Sequence, residues 1–65
     1  MHIILNGQTC SFEKVKTIQD LLDNLQLTGR LAVEINQVIV PRSQFHAHEI
    51  RAGDTVEIVR AIGGG

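Results

Sequence analysis

Tryptophan and tyrosine are absent from the 65 residues, and the only aromatic side chains are Phe12 and Phe45. Platforms for stacking nucleotide bases are therefore missing, and a net charge of -1 leaves no basic stripe for a phosphate backbone. Nucleic acid is excluded as a partner. No apolar run approaches the ~20 residues that cross a bilayer, and the amino terminus has no signal-peptide pattern, so no membrane association is expected. The single cysteine, Cys10, cannot close an internal disulfide. The fold must then stand on packing alone, which suits a reducing cytoplasm. A chain this short forms one small domain, near the size at which a single core barely suffices.

Glycine is plentiful in one place only, the run Ala61-Ile62-Gly63-Gly64-Gly65. Glycine contributes no side chain to a core and loses the most backbone freedom on ordering. The run therefore reads as a flexible tail, residues 61–65, following a folded domain, residues 1–60. Its chemical asset is a terminal carboxylate on residues without Cβ atoms, able to enter a slot too narrow for any side chain. Such a carboxylate is ionised at neutral pH, with an ordinary pKa of about 3.5. On the glycines alone, a reactive end and an inert one are both open.

The body of the chain reads as alternating elements. Residues 1–5 form a strand that runs into Asn6-Gly7, the dipeptide favoured where both central residues of a hairpin turn need positive φ. Residues 8–13 return as a second strand. Thr17 can cap a helix, with Asp20 three residues on as the partner in a capping box. Ile18, Leu21, Leu22 and Leu25 then follow at i, i+3, i+4 and i+7, which places all four on one helix face. Gly29 is the expected terminator. Residues 31–36 alternate, with Leu31, Val33 and Ile35 toward the core. Gln37 turns the chain into Val38-Ile39-Val40, which Pro41 ends or confines to a sheet edge. Residues 42–49 are irregular, with Phe45 plugging the core's rim. Ala52-Gly53-Asp54 makes a tight turn before a last strand, residues 55–60.

One helix among five strands must cover one face of a small sheet. With the first and last strands side by side and parallel at the centre, the crossover between them is expected to be right-handed. The result is an α+β, β-grasp (ubiquitin-like) arrangement: a mixed sheet of four to five strands with one helix across one face. The expected core is Ile3, Leu5, Ile18, Leu21, Leu22, Leu25, Leu31, Val33, Ile35, Val56 and Ile58. Glu57 and Val59 then point away from the helix, joined by Ile4 and Ala32, and make a docking surface for a protein partner.

Three stretches carry a resemblance: Asn6-Gly7 after the first strand, Ala32-Val33-Glu34-Ile35-Asn36 running into Val38-Ile39-Val40-Pro41-Arg42, and Gly53-Asp54-Thr55-Val56-Glu57-Ile58-Val59 before the glycines. Together they resemble the ThiS family, the bacterial sulfur carriers of thiamine biosynthesis, over the whole chain. Phe45 stands where the family is expected to carry tryptophan. The resemblance implies that a ubiquitin-activating-type adenylyltransferase consumes ATP to adenylate Gly65. A cysteine-derived sulfur donor then converts that acyl adenylate to a thiocarboxylate, and thiazole synthase receives the sulfur. It implies that Gly63 and Gly64 give the tail access to partner active sites. The chain would be a protein co-substrate rather than an enzyme, with no catalytic residue and no bound cofactor. Two other functions stay open at this point: the small subunit of molybdopterin synthase, which shares the tail chemistry, and a ubiquitin-like interaction module with inert glycines.

Two further candidates are weaker. Cys10 could accept sulfur, but a lone cysteine on a strand is commonly a small apolar side chain. His46 and His48 share one side if their segment is extended, yet two histidines without a third ligand do not make a zinc site, and no metal is expected.

Overall fold

A computed structural model describes residues 1–61. Its strands are β1 (His2–Leu5), β2 (Gln8–Ser11), β3 (Leu31–Ile35), β4 (Val38–Val40) and β5 (Thr55–Arg60), and its helix is α1 (Ile18–Asn24). They form one sheet in the order β2-β1-β5-β3-β4. β5 runs parallel to β1, as expected, and antiparallel to β3.

Turn chemistry sets the two hairpins. Asn6 and Gly7 both adopt positive φ, 47° and 83°, which lets β1 reverse into β2 in two residues. Asn36 and Gln37, at 50° and 71°, do the same between β3 and β4. That second turn carries no glycine. Asparagine tolerates the left-handed region because its short amide bonds locally, and here the Asn36 side chain bonds Thr55 and Asp54. Its Oδ1 accepts from the Thr55 amide at 2.9 Å, and its Nδ2 donates to Asp54 Oδ1 at 3.1 Å. Asn6 has the matching role on the other side of β5. Its Oδ1 accepts from the Ile58 amide at 2.8 Å and its Nδ2 donates to the Ile58 carbonyl at 3.2 Å.

The helix starts at the expected cap. Thr17 Oγ1 accepts from the Asp20 amide at 3.1 Å, while Asp20 Oδ2 accepts from the amides of Thr17 at 3.1 Å and Lys16 at 3.0 Å. Its far end differs from expectation. Gly29 does not terminate it; Gln26 does, at φ 59°. The Leu27 amide bonds the Leu22 carbonyl at 2.9 Å and the Gln26 amide bonds the Asp23 carbonyl at 3.1 Å. This is a Schellman closure, in which glutamine accepts the strain that glycine usually avoids.

Ile3, Ile18, Leu21, Val33 and Val56 are the largest fully buried side chains. Leu5, Leu25 and Leu31 were expected in the core but lie at its margin, partly buried. Val15, Val40, Phe45 and Ile50 are buried although only Phe45 was placed near the core. Val40 faces inward opposite Val33; for Phe45 and Ile50 the reason is a contact no periodicity reveals, the docking of the 45–50 segment on the start of α1. There the Ile18 amide donates to the His48 carbonyl at 3.1 Å, Gln19 to Phe45 at 3.0 Å, and the Ile50 amide to Lys16 at 2.8 Å. Phe45 is consequently core rather than rim.

Leu22→Ala is expected to cost about 2–5 kcal/mol, comparable to the ~3–5 kcal/mol that a core of this size supplies. The variant should be largely unfolded in a thermal or denaturant melt. A cooperative transition close to that of the unmodified chain would remove Leu22 from the core.

Bonds from the Lys16 and Thr17 amides hold the Asp20 carboxyl below its ordinary value of 3.8. A depressed folded-state pKa stabilises above the unfolded value and is lost as pH falls through the folded one. Asp20→Asn should therefore be less stable than the unmodified chain at neutral pH, and the gap should close below pH 3.8. Denaturant melts across that range check it; a gap that persists at the acid end would assign the loss to something other than the charge.

Candidate functional site

Among the described residues no element covers the face of the sheet away from α1, and strand register says which side chains share it. Partners directly opposite one another point the same way. Ala32 pairs with Val59, Glu34 with Glu57, Glu34 with Ile39, and Ile4 with Thr55. All four side chains expected on this surface, Ile4, Ala32, Glu57 and Val59, are there and exposed.

They do not form one patch. Ala32 and Val59 stand directly opposite each other on β3 and β5, with Val59 60% exposed. Ile4, 39% exposed, lies beside Thr55, four residues or about 13 Å along β5 from Val59. Between these apolar spots sit Glu34 and Glu57, directly opposite each other. Ile39, 70% exposed, adds a further apolar side chain across from Glu34. Sequence reading missed Ile39. The two-residue turn at Asn36-Gln37 held the signal, because it forces Ile35 opposite Val38 and hence Ile39 opposite Glu34.

The last strand leads from this face to the glycine run. Beyond Arg60 the chain stays attached to its neighbour: the Ala61 amide donates to the Arg30 carbonyl at 3.0 Å, and Arg60 Nη1 donates to the Thr28 carbonyl at 3.1 Å. Both carbonyls belong to the connection entering β3. Gly63, Gly64 and Gly65, the residues expected to carry the chemistry, lie outside the described residues.

The remaining candidates fall elsewhere. Cys10 is half-buried on β2 opposite Ile3, hence on the helix side of the sheet. The segment holding His46 and His48 is not extended. A single 3-10 turn, Arg42–Gln44, opens it, and the amides of Ala47 and His48 fold back onto the Gln44 carbonyl at 3.1 and 2.9 Å. The premise that put the two imidazoles on one side fails there.

The ThiS family model matches residues 3–65. A sulfur carrier protein ThiS of Bacillus subtilis is 40% identical over 63 residues, covering 94% of this chain and 96% of that protein. A thiazole synthase of Paramagnetospirillum magneticum is 39% identical over 66 aligned positions, which are 100% of this chain but 20% of that protein. The chain thus spans a fifth of the length of that relative. The crystal structure of a thiamine biosynthesis protein, ThiS, from Geobacter metallireducens superposes with a TM-score of 0.86 at 28% identity and covers 100% of both chains. That likeness supports the β-grasp assignment for the sheet and helix described above. Since the family match runs from the first strand through the glycine run, the chain belongs to the ThiS family.

Proposed function

We propose that this chain carries sulfur for thiazole formation in thiamine biosynthesis, with Gly65 as the residue that bears it. The observation that carries the reading is the full-length likeness to a protein named as a sulfur carrier, joined to a central strand that leads directly into the glycine run. A carboxylate is a poor electrophile because its oxygen leaves badly. Activation solves this. A carboxylate oxygen of Gly65 attacks the α-phosphorus of ATP, the bond to the bridging oxygen breaks, and pyrophosphate leaves. The terminal sulfur of a cysteine-derived persulfide then adds to the acyl carbon and AMP departs. A further thiol attacks the donor's sulfur in the resulting acyl disulfide, breaking its S–S bond and forming a disulfide with the donor, so that the sulfur remains on Gly65 as a thiocarboxylate.

None of these steps needs an acid, base or metal from the carrier. The activating partner, an adenylyltransferase of the ubiquitin-activating type, supplies the ATP site, and the chain itself is a co-substrate. The receiving partner is a thiazole synthase. A relative of that name holds a segment 39% identical to this chain within a single polypeptide, which supports a working proximity of the two. In this reading the chain works in the cytoplasm. No helix among the described residues is long and apolar enough to cross a membrane. The open face docks the partners: Ala32, Val59 and Ile39 supply apolar contact, Ile4 a second anchor, and the Glu34–Glu57 pair calls for basic groups opposite.

Deleting Gly65 would leave Gly64 as the terminal carboxylate, drawn back by about 3.3–3.6 Å. Reaction needs the attacking oxygen roughly 3–3.5 Å from phosphorus, so pyrophosphate exchange with the activating enzyme should nearly vanish. Gly64→Ala keeps length and charge but adds a methyl group in a channel that clears only backbone; it should also lose exchange, with an unchanged melt. Gly63→Ala should be tolerated better. Exchange at the unmodified rate after deletion of Gly65 would make the inert ubiquitin-like module the better description.

Val59→Asp should leave the melt unaltered, since Val59 makes no core contact, and weaken binding to the activating enzyme by calorimetry. Undiminished affinity in a folded variant would move the interface off this face.

A further inference from the structure

Asn6 enters the fold as a turn residue, yet its side chain acts 52 positions away. The main-chain ladder between β1 and β5 is short. It pairs Ile4 with Thr55 and Leu5 with Val56, and the Asn6 amide donates to the Val56 carbonyl at 2.9 Å before the chain turns into β2. β5 continues to Arg60, flanked from there by β3. At this step the Asn6 carboxamide takes the place of the next β1 residue: it gives Ile58 both an acceptor and a donor, at 2.8 and 3.2 Å. A side chain thus prolongs the parallel ladder after the backbone has left it.

The position of that prolongation matters for the segment that follows. Two-stranded ribbons twist more than wider sheets. Without the carboxamide, the end of β5 and its β3 partner form such a ribbon, free to twist against β1. Ala32 and Val59 ride on the ribbon, and Ile4 rides on β1. Among the described residues Ala61 is the last one bonded to the sheet, and the four residues that follow it in the sequence, Ile62 to Gly65, can span at most about 13–14 Å. A short reach leaves little slack to absorb a change at its root.

We propose that Asn6 is a positioning residue that fixes the root of the C-terminal segment relative to the docking face through its two hydrogen bonds with Ile58. The proposal rests on the sulfur-carrier reading for its kinetic consequence, but not for its geometry. Two partner-facing spots, on β1 and on the β3–β5 end, stay in one frame with the exit of the chain. A partner that grips both spots then receives the terminal carboxylate at a set place.

Asn6→Gly keeps the left-handed turn, which glycine accepts freely, and removes the clamp. Asn6→Asp keeps an acceptor for the Ile58 amide and loses the donor to its carbonyl. Thr17→Ala is the control: it loosens the helix start, remote from β5. In pyrophosphate exchange with the activating enzyme, Asn6→Gly should lower kcat on the order of 10–100-fold, the scale of a roughly 1 Å misplacement. KM should stay within about twofold, because the docking side chains are intact. Asn6→Asp should fall between Asn6→Gly and the unmodified chain, and Thr17→Ala should keep its kcat. If Asn6→Gly proves unfolded, Asn6→Asp is read by the same split. A kcat equal to that of Thr17→Ala, or a loss confined to KM, overturns the proposal.

Residual dipolar couplings give a readout independent of any enzyme. In Asn6→Gly, or in Asn6→Asp if that variant is used, the amide vectors of Val59 to Ala61 should reorient against those of β1, while the vectors within β1 and β2 keep their mutual angles. Unchanged angles overturn the positioning role. Absence of exchange with the unmodified chain overturns the sulfur-carrier reading instead, and the couplings then decide the role of Asn6 alone.

Discussion

Val56 has no exposed surface and lies between Leu5 on one neighbouring strand and Ile35 on the other. That double pairing of β5 is the constraint on which the rest of the fold depends. A central strand has no free edge, so its backbone groups must find partners on both sides. β3 supplies them from Val56 to Arg60, whereas β1 supplies them over the first part of β5 only. Two asparagines complete the arrangement, Asn36 at the start of β5 and Asn6 toward its end. Both sit in hairpin turns with positive φ, so the residues that reverse the outer strands also hold the inner one. The segment that ends in Gly65 therefore follows a strand bonded on both sides.

The two faces of that sheet divide the labour. On one, α1 and the 45–50 segment bury Ile3, Val33, Val56 and Ile58 beneath Ile18, Leu21, Leu22 and Phe45. On that side the capping box of Thr17 and Asp20 holds the helix start, and Cys10 lies half-buried opposite Ile3. On the other face, Glu34 and Glu57 stand directly opposite each other. Like charges in that relation are destabilising, and no requirement of the fold puts them there. Flanked by Ala32, Val59, Ile39 and Ile4, the pair is suited to a complementary surface that carries positive charge. In the proposed carrier role the chain presents a surface and an end. β5 joins them, since Val59 lies two residues before Ala61.

Local patterns along the chain were enough for the elements and their order. The i, i+3, i+4, i+7 spacing from Ile18 to Leu25, the Thr17–Asp20 cap and Asn6-Gly7 each encode their structure over a few residues, and the structure forms all three. Alternation also placed Ile4, Ala32, Glu57 and Val59 on the open face, because side-chain direction in a strand has a period of two. The ThiS-like stretches were legible too, being runs of residues rather than contacts. What a one-dimensional pattern does not contain is which distant segments meet. The burial of Phe45 and Ile50 comes from docking on the helix start. The Schellman closure at Gln26 replaced a nearby glycine because the backbone bonds of Asp23 and Leu22 were within its reach. The split of the open face into two apolar spots around an acidic pair follows from the offset at which β1 meets β5. The hold of Asn6 on Ile58 depends on that same offset: it leaves an amide and a carbonyl of β5 unpaired by β1's backbone, within reach of a side chain encoded 52 residues earlier.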